Sequence, residues 1–388
     1  MQFTEVKDKK GWKLFHKVPH IIYKDDPNWI CPLEGDVQSI FNPALNKAYA
    51  DGAAICYVLQ DDAGQLVGRI AAFIDLERNK TQPYPIGGIG FFECIDNQDY
   101  AFALFEKARD WLVELGAKII EGPVNFGERD KYWGLLVKGF YPPLFQENYH
   151  PAYYRPFFEN WGFLPYEQIL TFKGDTSNIP VDKLRRIATR LKERYDLSTQ
   201  ALDYAKLEKY AQDFCEVYNA TFNQFGHFKP IVPKQVITLL KEAKTIADPN
   251  VMAMAYYEDK PAGFCAFFPD INPLLKPVKG KLNWRTIPGF LVRKYFKKTY
   301  DAKGIGFGIH PEYRSKGIFA VIVEYMARER NRARYPYMYL TTIRAHNKDA
   351  ISAYENLVIE VDRVHIAYRK PLEEGIVIEP FEFMVEID

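Results

Sequence analysis

The 388-residue sequence has no apolar run long enough to cross a membrane and no apolar stretch behind the basic residues at its start. A membrane helix needs roughly 18 or more apolar residues in succession, and a secretory signal needs an apolar run after its charged beginning. The sequence therefore predicts a cytoplasmic protein with no membrane span and no signal peptide.

The sequence is also poor in cysteine and in net charge. Its five cysteines are scattered, and no two of them have the spacing of a CxxC pair or of a metal site. Cys56, Cys94 and Cys265 lie in apolar runs typical of strands, so we interpret them as packing residues and expect no metal. The 51 basic residues nearly balance the 50 acidic ones, so net charge indicates no nucleic-acid or membrane partner.

Hydrophobic and aromatic residues are plentiful, at 47% and 15% of the chain. These fractions are typical of a well-packed globular protein. Because 388 residues exceed what one hydrophobic core normally organises, we expect two domains.

Short similarities recur about two hundred residues apart, which is typical of a duplicated domain. The tetrapeptide GIGF occurs at 88–91 and at 304–307, each time in an apolar strand that precedes an apolar helix. A predicted β-hairpin precedes each copy, with turns at 61–64 and 258–261. Both copies continue with a strand, a shorter helix and a last strand.

This order predicts an α/β (α+β) fold of two domains, each a mostly antiparallel mixed sheet flanked by helices. Turn-forming residues are concentrated in GDTSNIP at 174–180, which places the boundary there. The predicted domains are 1–175 and 176–388, the second with a basic insertion at 271–300.

A basic turn follows the second GIGF strand. Arg314, Ser315, Lys316 and Gly317 lie between that strand and an apolar helix that begins near Ile318. A helix N-terminus offers unpaired N–H groups, and a glycine lets a phosphate approach the backbone closely. Two basic side chains add charge at the same place. The turn is therefore either a seat for an anion or an ordinary connection.

The strand, R-x-K-G turn and helix of 304–326, followed by Asn347 and Tyr354, resemble the acyl-CoA site of the GNAT acetyltransferase superfamily. The resemblance implies two tandem GNAT domains and acyl-CoA, most simply acetyl-CoA, as co-substrate. It further implies that the backbone from Arg314 to Ile318 surrounds the CoA pyrophosphate. The first copy has Asp96-Asn97-Gln98-Asp99 in place of the basic turn, so it resembles a degenerate copy.

Direct transfer of an acyl group to an amine needs a base, a donor that polarises the thioester carbonyl and an acid for the leaving thiolate. By resemblance, Tyr354 is the acid, and its alternative is a core aromatic. Asn347 holds the amide arm of CoA or caps a helix, and backbone amides of the strand ending at Ile309 serve the carbonyl. Phe158 takes the place of Tyr354 in the first copy and has no hydroxyl.

Two residues are candidates for the base. His310 stands at the end of the second GIGF strand and has a side chain that can titrate near neutrality, or it is a surface residue. Glu93 lies in an apolar run of the first copy, where a carboxylate either faces solvent or is buried and paired.

The insertion at 271–300 contains eight basic residues interleaved with aromatic ones and no acidic residue. It is suited to an acidic substrate, a nucleic acid or a membrane surface, or it packs its aromatic residues on the protein itself.

We predict that the acceptor of the acyl group is a small-molecule or peptide amine in the cleft between the domains. The alternatives are a Fem-like enzyme that uses aminoacyl-tRNA and contacts it through the insertion, and a non-catalytic ligand-binding or scaffold protein.

Overall fold

The computed structural model describes residues 1–223, 230–347, 351 and 359–387. The strands in this part of the chain are β1 (Gln2–Glu5), β2 (Gly52–Gln60), β3 (Leu66–Asp75), β4 (Ile86–Cys94), β5 (Ile119–Gly122), β6 (Leu135–Lys138), β7 (Leu164–Asp175), β8 (Leu197–Ala201), β9 (Met252–Tyr257), β10 (Lys260–Pro269), β11 (Ala302–Ile309), β12 (Tyr337–Arg344) and β13 (Ile359–Pro371). The α-helices are α1 (Lys9–Ile22), α2 (Glu34–Ile40), α3 (Leu76–Asn79), α4 (Gln98–Glu114), α5 (Tyr154–Asn160), α6 (Val181–Arg194), α7 (Leu207–Phe222), α8 (Pro233–Ala243), α9 (Asn272–Leu275), α10 (Ile287–Phe296), α11 (Ile318–Met326) and α12 (Glu329–Arg334).

The strands form one mixed sheet in which almost the same arrangement of strands is found starting from either edge. Its order is β1-β2-β3-β4-β5-β13-β7-β12-β11-β10-β9-β8, with β6 paired to β13. In each half an antiparallel hairpin, β2/β3 or β9/β10, is followed by a strand that pairs parallel with the next one, β4 with β5 and β11 with β12. This arrangement confirms the predicted fold class of two repeated, mostly antiparallel α/β units.

The two halves exchange their last strands at the centre of the sheet. Strand β7, which ends the first half, pairs with β12 of the second half. Strand β13, which ends the second half, pairs with β5 of the first half and with β7. The halves therefore share a continuous set of main-chain hydrogen bonds, and the domain boundary at 174–180 stays a prediction.

Both strands that carry GIGF have an irregularity within or directly after that motif. In β11 the pairing with β10 passes from Gly304 to Gly306 and leaves Ile305 unpaired. In β4 the pairing with β3 passes from Gly90 to Glu93, and Phe91 there has a φ of 49°. Such bulges bend a strand and redirect its side chains. The two strands of each parallel pair therefore start side by side and then separate.

One amphipathic helix follows each of these strands and packs on the sheet. Helix α4 begins where Asn97 accepts hydrogen bonds from the N–H groups of Asp99 and Tyr100, and it ends before Gly116, whose φ is 82°. Helix α11 begins after Gly317 and buries Ile318, together with most of its apolar side chains, against the second half of the sheet. The helices thus hold the open ends of both parallel pairs in place.

Within the described residues, no helix has the length and apolar character that a membrane crossing requires. All five cysteines are buried and unpaired. Burial raises the pKa of the Cys265 thiol to about 12, which suits a packing residue better than a nucleophile.

Candidate active site

The parallel pair β11/β12 separates along its length and leaves a free strand edge. The two strands pair only from Ala302 to Gly304 of β11, whereas the pairing of β11 with β10 continues to Ile309. Beyond Gly304, β12 follows β7 instead, with Thr342 at a φ of 57°. In the part of the chain that the structure describes, no strand pairs with this edge of residues 305–309. An edge of this kind offers N–H and C=O groups to an extended ligand.

The corresponding gap in the first half is closed. The N–H of Val124 donates to the carbonyl of Ile89 at 2.8 Å, so the chain beyond β5 stays against β4. A Cβ on Gly90 would lie 2.0 Å from the carbonyl oxygen of Val124. Phe92 and Phe158 pack edge-to-face in a fully buried aromatic cluster of this half. The first half therefore has no open edge to give to a ligand, as expected of a degenerate copy.

The basic turn lies directly beyond the open edge. Residues 311–316 form a 3-10 helix, Gly317 follows with a φ of 79°, and α11 begins at Ile318. Arg314 and Ser315 are exposed, and Arg314 forms no ion pair with any residue that the structure describes. The turn thus offers a free guanidinium and a helix N-terminus next to one another.

The side chain of Lys316 lies over two tyrosine rings. Its ammonium lies 5.0 Å from the ring centroid of Tyr195 and 5.2 Å from that of Tyr257, in a cation–π contact with both. The side chain of Ile318 is fully buried, so only the backbone of this residue is available to a ligand. Of the two cations predicted for the pyrophosphate, Arg314 is exposed and Lys316 is half-buried, and contact of either with a pyrophosphate stays a prediction.

Phe319, in the first turn of α11, packs its ring edge-on against Phe307 at 5.4 Å. Ile309 pairs with Gly263 of β10, and its carbonyl accepts from the Thr221 hydroxyl at 3.2 Å. The backbone of Ile309 is thus fixed where the open edge meets the basic turn. Phe319 belongs to the packing beneath this junction.

Asn347, the predicted contact of the CoA amide arm, follows β12 along the chain. The N–H of Asn347 donates to the carbonyl of Arg344 at 2.9 Å, and its carbonyl accepts from the N–H of Ile351 at 3.2 Å. Its role at the CoA amide arm or as a helix cap stays a prediction. Tyr354, the predicted acid, lies outside the described residues.

The two predicted bases are far apart. His310 begins the 3-10 helix, where its Nδ1 accepts from the N–H of Glu312 at 3.4 Å and its ring packs on Tyr313. Glu93 lies on β4, five strand positions from β11 in the sheet. At about 4.8 Å per strand that is on the order of 24 Å, so the structure does not bring Glu93 to the open edge.

Glu93 is buried and paired within the first half. Its Oε2 accepts from the hydroxyls of Tyr23 at 2.8 Å and Tyr154 at 2.9 Å, and its Oε1 lies 3.5 Å from Arg69. Burial raises the pKa of Glu93, and the charge of Arg69 opposes that rise. These contacts connect α1, β3, β4 and α5, and they suit a structural role in the first half.

A small polar cavity lies between the halves at the base of the β11/β12 gap. Its volume is about 10 Å³, roughly that of one water molecule. Residues of both halves line it: Asp130, Lys131, Tyr132, Trp133, Gln146, Glu147, Asn148, Ile169, Thr171, Lys303, Thr341, Thr342 and His365. The cavity therefore joins the GIGF strand of the second half to the 130–148 loop of the first.

Burial and ion pairing shift the pKa values of the charged groups around this cavity. Although burial opposes its charge, the pKa of Glu147 is lowered to about 2 because Arg363 forms an ion pair with it at 2.6 Å. Burial lowers the pKa of Lys303, and Glu147 partly offsets this change. The Lys303 ammonium also contacts the carbonyl of Phe145.

His365 is the residue of this cavity with the chemistry of a base. Burial lowers its pKa, an effect that Glu147 partly opposes, so the imidazole is neutral near pH 7. Its Nε2 lies 2.9 Å from the carbonyl of Asn148, which makes Nε2 the donor and leaves Nδ1 as an acceptor. His365 was not among the residues predicted from the sequence, although Arg363 and His365 are two residues apart on β13 and so lie on the same face of that strand.

No group of three or more His, Cys, Asp and Glu side chains that suits a metal ion occurs among the described residues.

The comparisons with known proteins agree with the geometry. A model of the acetyltransferase (GNAT) family matches residues 212–357, which include the basic turn and both strands of the open pair. The chain is 29% identical over 280 residues to a bacterial ceramide synthase from Caulobacter vibrioides, across 71% of this chain and 72% of that protein.

Protein YghO from Escherichia coli K12 is 24% identical over 323 residues, across 81% of this chain and 80% of that protein. A tandem GNAT protein from the clavulanic acid biosynthesis pathway shares the fold with a TM-score of 0.54 at 11% identity, across 97% of this chain and 99% of that one. The family match, the repeated fold and the open strand edge lead to one assignment. Residues 212–357 match the acetyltransferase (GNAT) family, and the whole chain shares the fold of a tandem GNAT protein.

Proposed function

We propose that this protein transfers an acyl group from acyl-CoA to the amine of a long-chain amino alcohol. The observation that supports the donor site is the open edge of 305–309 beside the exposed Arg314. The amide arm of CoA can pair with such an edge as an added strand does. A guanidinium at a helix N-terminus suits the pyrophosphate.

The relative named bacterial ceramide synthase supports the class of acceptor and the length of the acyl chain. A ceramide is the amide of a fatty acid with a long-chain amino alcohol, so its synthesis joins a fatty acyl group to an amine. We extend this chemistry to the present chain. The acceptor amine then approaches along the gap between β11 and β12, where the two strands separate beyond Gly304.

Each step has a candidate group. The amine nitrogen attacks the thioester carbon and forms a C–N bond, while N–H groups of the open β11 edge stabilise the oxyanion. His365 takes the proton that the amine loses. The C–S bond then breaks, and Tyr354 gives a proton to the leaving thiolate and recovers one from solvent. The products are an amide and free CoA.

The test is a transfer assay with sphinganine and acetyl-, octanoyl- and palmitoyl-CoA, in which the amide is detected by mass spectrometry and free CoA by its thiol. We expect amide formation with the longer donors, and its loss in Arg314→Glu. Lys241→Glu, an exposed charge reversal on α8, is the matched control and should keep full activity.

Three results would overturn the proposal. Absence of amide with every donor, although acyl-CoA binds, would indicate a ligand-binding protein. Consumption of aminoacyl-tRNA in place of acyl-CoA would indicate the Fem-like chemistry. Acylation of short soluble amines in preference to sphinganine would reject the lipid acceptor.

A further inference from the structure

Part of the insertion at 271–300 presents large apolar side chains to solvent. Seven large hydrophobic side chains of this segment are exposed: Leu282, Trp284, Ile287, Leu291, Val292, Tyr295 and Phe296. Trp284, Tyr295 and Phe296 are the most exposed, at 76%, 84% and 72%. A surface helix of a soluble domain normally turns its apolar stripe towards the core, whereas residues 282–296 show the reverse and expose most of their large apolar side chains.

The reversal is clearest on α10. At about 100° per residue, its exposed apolar side chains and Pro288 occupy about half of the helix circumference. Phe290 anchors the opposite side in the core of the second half. Arg293 donates from the same side to the carbonyl of Leu274 at 3.2 Å. The helix is therefore held in place while its apolar face stays uncovered.

Basic residues surround this face. The segment contributes eight lysines and arginines and no acidic residue, whereas the whole chain is nearly neutral. Lys279, Lys281, Arg285 and Lys298 are exposed. Lys281 approaches Glu34 no closer than 3.8 Å, and the Arg285 guanidinium lies 4.9 Å from the ring of Trp284. The remainder of the chain carries an excess of acidic residues, so the positive charge is concentrated here.

We propose that the surface formed by 281–298, which we name the α10 face, docks on a lipid bilayer that contains anionic headgroups. Exposed aromatic and aliphatic side chains enter the boundary between headgroups and acyl chains, and the basic rim meets the headgroup charge. Its aliphatic side chains, such as those of Leu291 and Val292, cannot stack on nucleic-acid bases as aromatic rings do. They therefore favour a bilayer over an RNA as the partner of this face. A symmetric contact between two copies would bring the same basic rims together, which opposes self-association through this face.

This inference rests on the α10 face alone and does not need the proposed acceptor to be correct. The probe is binding of the full-length protein to vesicles of phosphatidylglycerol and phosphatidylcholine, compared with vesicles of phosphatidylcholine alone, by co-sedimentation. We expect at least about tenfold stronger binding to the anionic vesicles and weaker binding as salt screens the charges.

Two variants separate the parts of the surface. Trp284→Ser with Tyr295→Ser and Phe296→Ser removes exposed apolar area, and Arg285→Glu with Lys298→Glu reverses charge at the rim. Each should reduce vesicle binding at least about tenfold, with an unchanged melting temperature because all five side chains are exposed. Leu239→Ser with Lys241→Glu makes comparable changes on the exposed side of α8 and should bind like the parent.

Several outcomes would overturn the inference. They are absence of binding to either vesicle, equal binding to neutral and anionic vesicles, and unchanged binding in both variants. Tight tRNA binding that the charge variant abolishes would assign the face to RNA, and a dimer that the aromatic variant dissociates would assign it to a second copy. Transfer to a detergent-dispersed acceptor, measured in the same variants, keeps failure of the docking separate from failure of the proposed function.

Discussion

Leu191 of α6 occupies the space into which a side chain at residue 317 would project. A Cβ built on Gly317 would lie 2.7 Å from both methyl groups of Leu191, and Gly317 has a φ of 79°. Close packing and backbone conformation thus both require glycine at this position. Substitution of Gly317 therefore disturbs folding as well as any ligand, whereas substitution of the exposed Arg314 does not.

Gly317→Ala is expected to lower the free energy of unfolding by about 1–3 kcal/mol, because it combines a strained backbone with overpacking. Truncation of the neighbour in Leu191→Ala removes the clash but leaves the strain. The double variant should consequently be less destabilised than the sum of the two single variants, as measured by urea unfolding. Simple additivity would show that the α6 contact does not restrict residue 317.

The repeat, and hence the fold of each half, could be predicted from the sequence because GIGF and its hairpins recur with the same apolar periodicity. The exchange of β7 and β13 between the two halves could not be predicted from the sequence. The last strands of the two copies follow similar segments, Phe158-Glu159-Asn160 and Tyr354-Glu355-Asn356, so either strand can satisfy the same edge by its local pattern. Only the path of the whole chain decides which partner each strand takes.

The site was predictable to the same degree. The turn from Arg314 to Gly317 is local, and its position beside the open edge follows from the strand and helix on either side. The orientation of Lys316 depends on Tyr195 and Tyr257, which are distant in sequence. The cavity at His365 depends on the strand exchange itself, because β13 carries that residue to the 130–148 loop.

The strand exchange predicts that the first half does not fold alone. A fragment of residues 1–175 lacks β13, so β5 loses a partner from Ile119 to Gly122 and β7 loses pairing along most of its length. Unpaired strand edges and an uncovered core should leave this fragment without cooperative thermal unfolding.

A peptide of residues 359–371 supplies the missing strand and should restore structure to the fragment, as followed by circular dichroism. The matched control is the same peptide with Val364→Asp and Ile366→Asp, which places charges on the buried face of the strand. Cooperative unfolding of residues 1–175 without any peptide would contradict the prediction.

His365→Gln tests the proposed base. Since a positioned base typically contributes a factor of about 10²–10⁴ to the rate, kcat should fall within that range. A merely structural role for His365 would lower stability and leave the shape of the pH profile intact. If His365 is the base, its loss should also remove the decline of the parent's rate at pH values below the pKa of this residue, which burial places under 6.5. A decline that persists unchanged in the variant would assign the base elsewhere.

Glu93 is expected to matter for stability and not for the chemical step. Glu93→Ala leaves Arg69 buried without its carboxylate and leaves the hydroxyls of Tyr23 and Tyr154 without their shared acceptor. The loss of a buried pair by removal of one partner costs about 3–5 kcal/mol, which urea unfolding measures. Transfer at a temperature where the variant is folded should keep the parent's kcat. A large fall in kcat at unchanged stability would instead bring Glu93 into the reaction.

Acid sensitivity of the fold is predicted to depend on His150. Burial, with a smaller contribution from the charge of His365, lowers the pKa of His150 from 6.5 to about 3, and its Nδ1 accepts from the N–H of Leu136 at 3.2 Å. Between these pH values the unfolded chain binds a proton that the folded chain does not. The free energy of unfolding therefore falls as pH falls, by about 1.4 kcal/mol per pH unit from this residue.

His150→Gln retains an acceptor for Leu136 and cannot take up a proton, so it should reduce the loss of stability between about pH 7 and about pH 5 by about 2 kcal/mol. Urea unfolding of parent and variant at the two pH values measures this difference. Glu147 does not interfere, because its pKa is lowered to about 2 and its contribution is lost only as pH falls below 4.5. An equal loss in parent and variant would mean that His150 accepts a proton in the folded state, and that the hydrogen bond to Leu136 does not hold it neutral.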